Sequence, residues 1–166
     1  MPFETTLTIP ELTWKTSGFR AACRWVIVDE NGQIPILFDS VKKYHKLPWW
    51  GIEWDETKIE TFIREIREET GCEIDNIKEV WKVVEKISDW EQISYCFIWK
   101  VVSKWETHFT EKEIERGFQL KWLNIEDAIS LIKNEKADTD EEKLKKEREL
   151  FILEKSYLEL ENNWKK

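Results

Sequence analysis

The sequence predicts an α/β (α+β) sandwich, a mixed sheet between helices, on three observations. Runs of strand-forming residues alternate with helical periodicities along the 166 residues. The punctuation between runs suits that alternation: Asp29-Glu30-Asn31-Gly32 reads as a turn and Gly71 as a helix stop. No internal repeat or low-complexity linker divides the chain. Residues 1–166 are therefore expected to form one domain, with a C-terminal helix of about 139–162 packed on it.

Residues 19–28 are rich in strand formers, and Ile34 to Phe38 returns after the turn, so the two are expected to pair as a hairpin. Residues 57–70 form the clearest helix. Thr57 and Glu60 have capping-box spacing, and Ile59, Phe62, Ile63 and Ile66 make an apolar stripe. Val80 to Ile87 and Ile93 to Val102 read as strands joined by a turn at Ser88-Asp89. A polar, acidic stretch from Thr107 to Arg116 precedes a strand at Phe118 to Leu123 and a short helix at Ile125 to Lys133. The final helix carries Leu150, Leu153, Tyr157 and Leu160 on one face, with Phe151 and Leu158 beside it. Such a face is expected to cover the sheet.

Composition narrows the function. Hydrophobic residues at 41% and charged residues at 36% describe a soluble globular chain. A formal charge of −8 without basic runs argues against duplex DNA and anionic membranes as partners. No apolar run approaches the roughly 20 residues of a membrane span. Cys23, Cys72 and Cys96 are an odd set without paired spacing, so reduced thiols are expected rather than disulfides or a zinc ribbon. No basic-then-apolar N-terminal segment is seen, and a cytoplasmic location is the expectation.

The chemistry lies in the helix and the loop before it. Glu65, Glu68 and Glu69 fall within one arc of about 100°, roughly opposite the apolar stripe. Carboxylates so close repel unless a positive group lies between them, and hard divalent cations take such oxygen ligands. A bare acidic helix balanced by Arg64 and Arg67 is more often a solvated face. The loop Leu47-Pro48-Trp49-Trp50-Gly51-Ile52-Glu53 changes that balance. With the helix, it resembles the Nudix box, in which Glu56, Arg64, Glu65, Ile66, Glu68, Glu69 and Gly71 match at the required spacing between Trp50 and Cys72.

The resemblance implies a Nudix fold and a metal-dependent hydrolase. Glu65, Glu68 and Glu69 would ligate one to three Mg²⁺ or Mn²⁺ ions, with the backbone carbonyl of Trp49 as a further ligand. Arg64 would hold a box glutamate in place, and Glu56 would support the loop. Relatives take their general base from the box or from a later loop, where Glu111, Glu113 and Glu115 are the candidates here. The substrate would be a small nucleoside diphosphate linked to another group, cut at the diphosphate by an activated water. Homodimers are common in the family. The alternatives are a Nudix-fold nucleotide sensor that does not cut, and removal of an RNA 5′ cap, which the negative charge disfavours. His45, near the loop, could touch substrate but is expected at the surface, and neither it nor His108 has a partner for a triad or a zinc site.

Eleven tryptophans against five glycines depart from ordinary usage. The family pattern has glycine at position 50 and usually at 49, where this chain has Trp49 and Trp50. A tryptophan there is strained if φ is positive. Trp54 and Trp105 fall in expected turns, and Trp25, Trp81 and Trp99 at strand positions where a small residue would serve. Trp122 matches a tryptophan common in the family. The first group is read as occupying glycine positions by a codon route, because UGA means glycine in one reassigned code and tryptophan in another. The alternative is a natural pocket that stacks bases on Trp49 or Trp50.

Overall fold

In the computed structural model, residues 3–9, 18–51, 57–74, 78–87, 90–104 and 106–163 are described. The expected turn at Ser88-Asp89, Glu56, Trp54 and Trp105 lie outside them. The larger sheet runs β1 (Phe3–Ile9), β7 (Lys78–Ile87), β8 (Trp90–Lys104), β2 (Gly18–Val28) and β5 (Trp49–Gly51), with β6 (Cys72–Ile74) also on β8. It is mixed: β1 runs parallel to β7 and β2 parallel to β8, while β7 and β5 are antiparallel to their neighbours. A second, antiparallel sheet runs β4 (Tyr44–Lys46), β3 (Gln33–Asp39), β9 (Phe118–Asn124).

The expected hairpin between residues 19–28 and 34–38 does not form. Both edges of β2 are taken, by β8 and by β5, so β3 turns away at Asp29 and pairs with β4 and β9 in the other sheet. The turn itself is present: the Gly32 N–H donates to the Asp29 carbonyl at 3.0 Å.

Strand β2 is buried on both faces, which explains its nearly continuous apolar run. Cys23, Trp25 and Ile27 face α1 (Lys58–Thr70), packing on Phe62, Ile66, Phe97 and Trp99. Val26 and Val28 face the other way, with Val83, Cys96 and Ile98, against α3 (Ile125–Asn134) and α4 (Asp140–Asn163). On α4 the expected residues Leu150, Leu153, Tyr157 and Leu160 join this core, with Ile152 buried among them, while Leu158 stays exposed. The sandwich thus has α1 on one face of the large sheet and α4 on the other. The acidic stretch contains a helix the sequence did not suggest, α2 (Glu111–Glu115). Cys23, Cys72 and Cys96 are free and buried. Among the described residues, no helix is long and apolar enough to cross a membrane.

Candidate active site

Helix α1 starts and stops where its sequence says. The Thr57 hydroxyl accepts the Glu60 N–H at 3.3 Å, and Gly71 closes the helix in the left-handed region at φ 67°. Its buried face differs from the expected one. Ile59 and Ile63 are exposed, whereas Phe62, Glu65, Ile66 and Glu69 share an inward arc at 3-1-3 spacing. Burying Phe62 and Ile66 contributes about 1.5–3 kcal/mol each and draws the two glutamates in with them. Glu65 is 1% and Glu69 2% exposed, so they line the interior rather than oppose the apolar stripe. Glu68 stays at the margin.

Burial makes these carboxyls reluctant to ionise. That of Glu65 is pushed up to about 7 by burial, which outweighs the opposing pull of Arg64; the Glu68 charge adds to the rise. Glu69 too is held well above the usual carboxylate range, by burial first, with Lys46 pulling the other way and Glu113 and Glu65 repelling. Its Oε2 is buried without a hydrogen-bond partner. Arg64 pairs with Glu65 through Nη1, and the same nitrogen lies 3.5 Å from Glu68 Oε2.

Of the three later acids, Glu113 is the buried one. The His108 N–H donates to the Glu68 carbonyl at 2.7 Å, tying the chain before α2 to the last turn of α1. Thr110 then caps α2, its N–H donating to Glu113 Oε2 at 2.8 Å. Glu113 is buried and shares a side-chain hydrogen bond with Glu69, while Glu111 and Glu115 are exposed. Nothing in the sequence singled out Lys46. It is buried beside Glu69, and burial lowers its ammonium to about 8. Among the described residues no three His, Cys, Asp or Glu side chains converge as a ready metal cage. The carboxyls gather without closing.

The loop bears its tryptophans without backbone strain. Trp49 and Trp50 lie in β5, and Lys43 is the non-glycine residue with positive φ among those described, so the strain expected at 49 and 50 is not present. The Trp49 ring is ringed by cations: the Arg20 guanidinium stands 4.5 Å from its centroid, Arg24 5.1 Å and the Lys46 ammonium 5.5 Å. Trp25, Trp81 and Trp99 are packed in the core. Trp25 meets Phe62 edge-on at 5.3 Å but leaves its indole nitrogen unpartnered.

His45 is not at the surface. It is buried, with Nδ1 on Glu135, Nε2 3.2 Å from Lys121 Nζ and its ring on Phe38. A cleft of about 570 Å³ lies at the far end of β2, between Asp29, Lys100, Glu126 and Tyr157, and none of the box carboxylates lines it.

Comparison with known proteins fits this arrangement. The model of the NUDIX domain matches residues 18–146, most of the chain. A solved structure of the mutator MutT protein from Bacillus halodurans is similar at a TM-score of 0.52, with 22% identity over 68% of this chain and 72% of that one. That likeness concerns the fold. No curated protein matches significantly. With the domain match covering β2 through the start of α4, and the box glutamates gathered at its centre, the chain belongs to the Nudix family.

Proposed function

We propose that the chain is a divalent-cation-dependent hydrolase that cuts the diphosphate linkage of a small nucleotide-like molecule. The observation that carries this reading is the buried group of Glu65, Glu69 and Glu113, with Glu69 Oε2 left unpartnered. A fold maintains such mutual repulsion poorly unless a cation relieves it. The donor set suits Mg²⁺ or Mn²⁺: hard carboxylate oxygens from Glu65, Glu68 and Glu69, with the Trp49 carbonyl on the neighbouring strand. When bound, such an ion neutralises charge on the diphosphate oxygens and makes water a better nucleophile.

The protein's own groups do the rest. Arg64 fixes the Glu65 carboxylate. Lys46 offsets the charge of Glu69 within the buried group. Glu113, held at Oε2 by the Thr110 N–H and hydroxyl beside Glu69, would take the proton of the attacking water.

The test is nucleotide or phosphate release from a panel of nucleoside diphosphate derivatives, with Mg²⁺ or Mn²⁺ against chelator, on the wild type and Glu69→Gln. Turnover that needs the ion and vanishes in Glu69→Gln is expected. Nucleotide binding with no turnover by any panel member would defeat the hydrolase in favour of a sensor. The ring of cations around Trp49, which is suited to holding an anion, is the observation on the sensor's side.

A further inference from the structure

Six side chains close a buried hydrogen-bonded ring on the face of the large sheet that α4 covers. Glu149 Oε1 accepts from Arg24 Nη1 at 3.2 Å and from Arg148 Nη2 at 3.0 Å. Arg148 Nη1 donates to Glu85 Oε1 at 2.7 Å, and Gln92 Nε2 donates to Glu85 Oε2 at 2.6 Å. Gln92 Nε2 also reaches Ser94 Oγ at 3.5 Å, and Arg24 Nε donates to the same hydroxyl at 3.1 Å. Two arginines balance two glutamates, so the ring buries no net charge.

One oxygen points out of the ring. Glu149 Oε2 accepts the backbone N–H of Leu47 at 2.9 Å, across 102 residues of chain. Leu47 lies between the end of β4 at Lys46 and the start of β5 at Trp49, where no strand ladder holds it. Its neighbour on one side is Lys46, the cation beside Glu69; two residues on is Trp49, whose carbonyl is a candidate ligand. The ring fixes Glu149 from two sides, and Glu149 in turn fixes the joint between these two residues.

We infer that Glu149 is a positioning residue of the active site, through which α4 sets the place of the 46–49 segment relative to the box carboxylates. Glu85 supplies the comparison. It is as deeply buried, belongs to the same ring and holds the same arginine of α4, yet among the described residues its hydrogen bonds go to Arg148 and Gln92 and not to the loop. A merely structural role would make the two glutamates equivalent. A positioning role separates them.

The experiment uses the full chain as Glu149→Ala, Glu149→Gln and Glu85→Ala, with three readouts: thermal midpoint, hydrogen exchange at the Leu47 amide, and the Mn²⁺ dissociation constant from the spin-resonance signal of free ion. Both alanine variants are expected to melt lower. Only Glu149→Ala is expected to speed Leu47 exchange and to weaken Mn²⁺ binding, by about tenfold, the lower end of what such supporting contacts contribute. Glu149→Gln, which keeps an acceptor for the N–H, is expected to restore most of both. Equal losses of Mn²⁺ affinity in Glu149→Ala and Glu85→Ala, or unchanged Leu47 exchange, would overturn the inference. Should the alanine variants not fold, Glu149→Asp and Glu85→Asp keep the ring charges, and the same divergence or equality decides. The metal readout rests on the hydrolase reading: a wild type that binds no Mn²⁺ defeats that reading, whereas intact wild-type binding with unchanged Leu47 exchange defeats this inference alone.

Discussion

The buried carboxyl of Glu69 shares a hydrogen bond with that of Glu113, which α2 brings to it from a separate part of the chain. Burial and the neighbouring Glu113 and Glu65 both oppose ionisation of Glu69, and the proposed cation would relieve that opposition.

Replacing Glu69 by glutamine follows from that relationship. The amide preserves the shape, can donate to Glu113 and removes the charge that burial penalises. The metal-free variant should gain on the order of 1 kcal/mol in stability, while Mn²⁺ no longer raises its melting temperature and turnover disappears. Thermal melts with and without Mn²⁺ test this; a metal-free Glu69→Gln melting below wild type would contradict it.

Arg64 presents the opposite case. Its guanidinium is 43% exposed and pairs with Glu65 and Glu68. Arg64→Ala should cost under about 1 kcal/mol of stability, as exposed ion pairs do. It should nevertheless lower kcat by roughly 10–100-fold through a misdirected Glu65. Steady-state kinetics beside urea unfolding separates the two effects.

Glu149 gives a pH signature. Despite burial, Arg24 and Arg148 hold its carboxyl below the usual range. A group with a depressed folded pKa stabilises above its unfolded value, near 4.5, and loses that contribution as pH falls through the folded value. Glu149→Gln should therefore be about 3–5 kcal/mol less stable than wild type at pH 7, with the gap narrowing steadily below pH 4.5. Urea titrations at pH 7 and pH 3.5 measure it, and a gap of equal size at both would refute the assignment.

Trp49 separates stability from activity. Trp49→Gly forfeits contacts with Arg20, Arg24 and Lys46 worth about 0.5–1 kcal/mol each, and a glycine in β5 costs about as much again. The same change frees Arg20 and Lys46 to meet phosphate oxygens. The variant is expected to melt lower yet to raise kcat/KM on diphosphate substrates. Unchanged or lower kcat/KM would make the indole a working part of the pocket.

What was legible in the sequence was local. The cap at Thr57, the stop at Gly71 and the spacing of Arg64, Glu65, Glu68 and Glu69 each depend on residues within a turn or two. They specified the helix, the box and the resemblance that goes with them. The burial of Glu65 and Glu69 is not legible in the sequence, because apolar type alone does not define the inward face. The sheet instead buries the arc containing Phe62 and Ile66, whatever else stands on it. A signal for the ring did exist on α4: Leu144, Arg148, Ile152 and Ser156 recur every four residues and are all buried, so a charged residue interrupts an inward stripe.

By itself the sequence determined the family, the mixed α/β class with its longer strands and helices, and which glutamates stand at the box positions. Tertiary structure alone decided the rest: that β3 leaves β2 for another sheet, that Glu113 rather than Glu111 or Glu115 meets Glu69, that Lys46 and His45 are buried, and that Glu149 reaches Leu47. The physical reason is separation along the chain. Periodicity and capping act over a few residues, whereas strand partners and buried ion pairs are chosen by competition among distant segments for the same edge, face or charge.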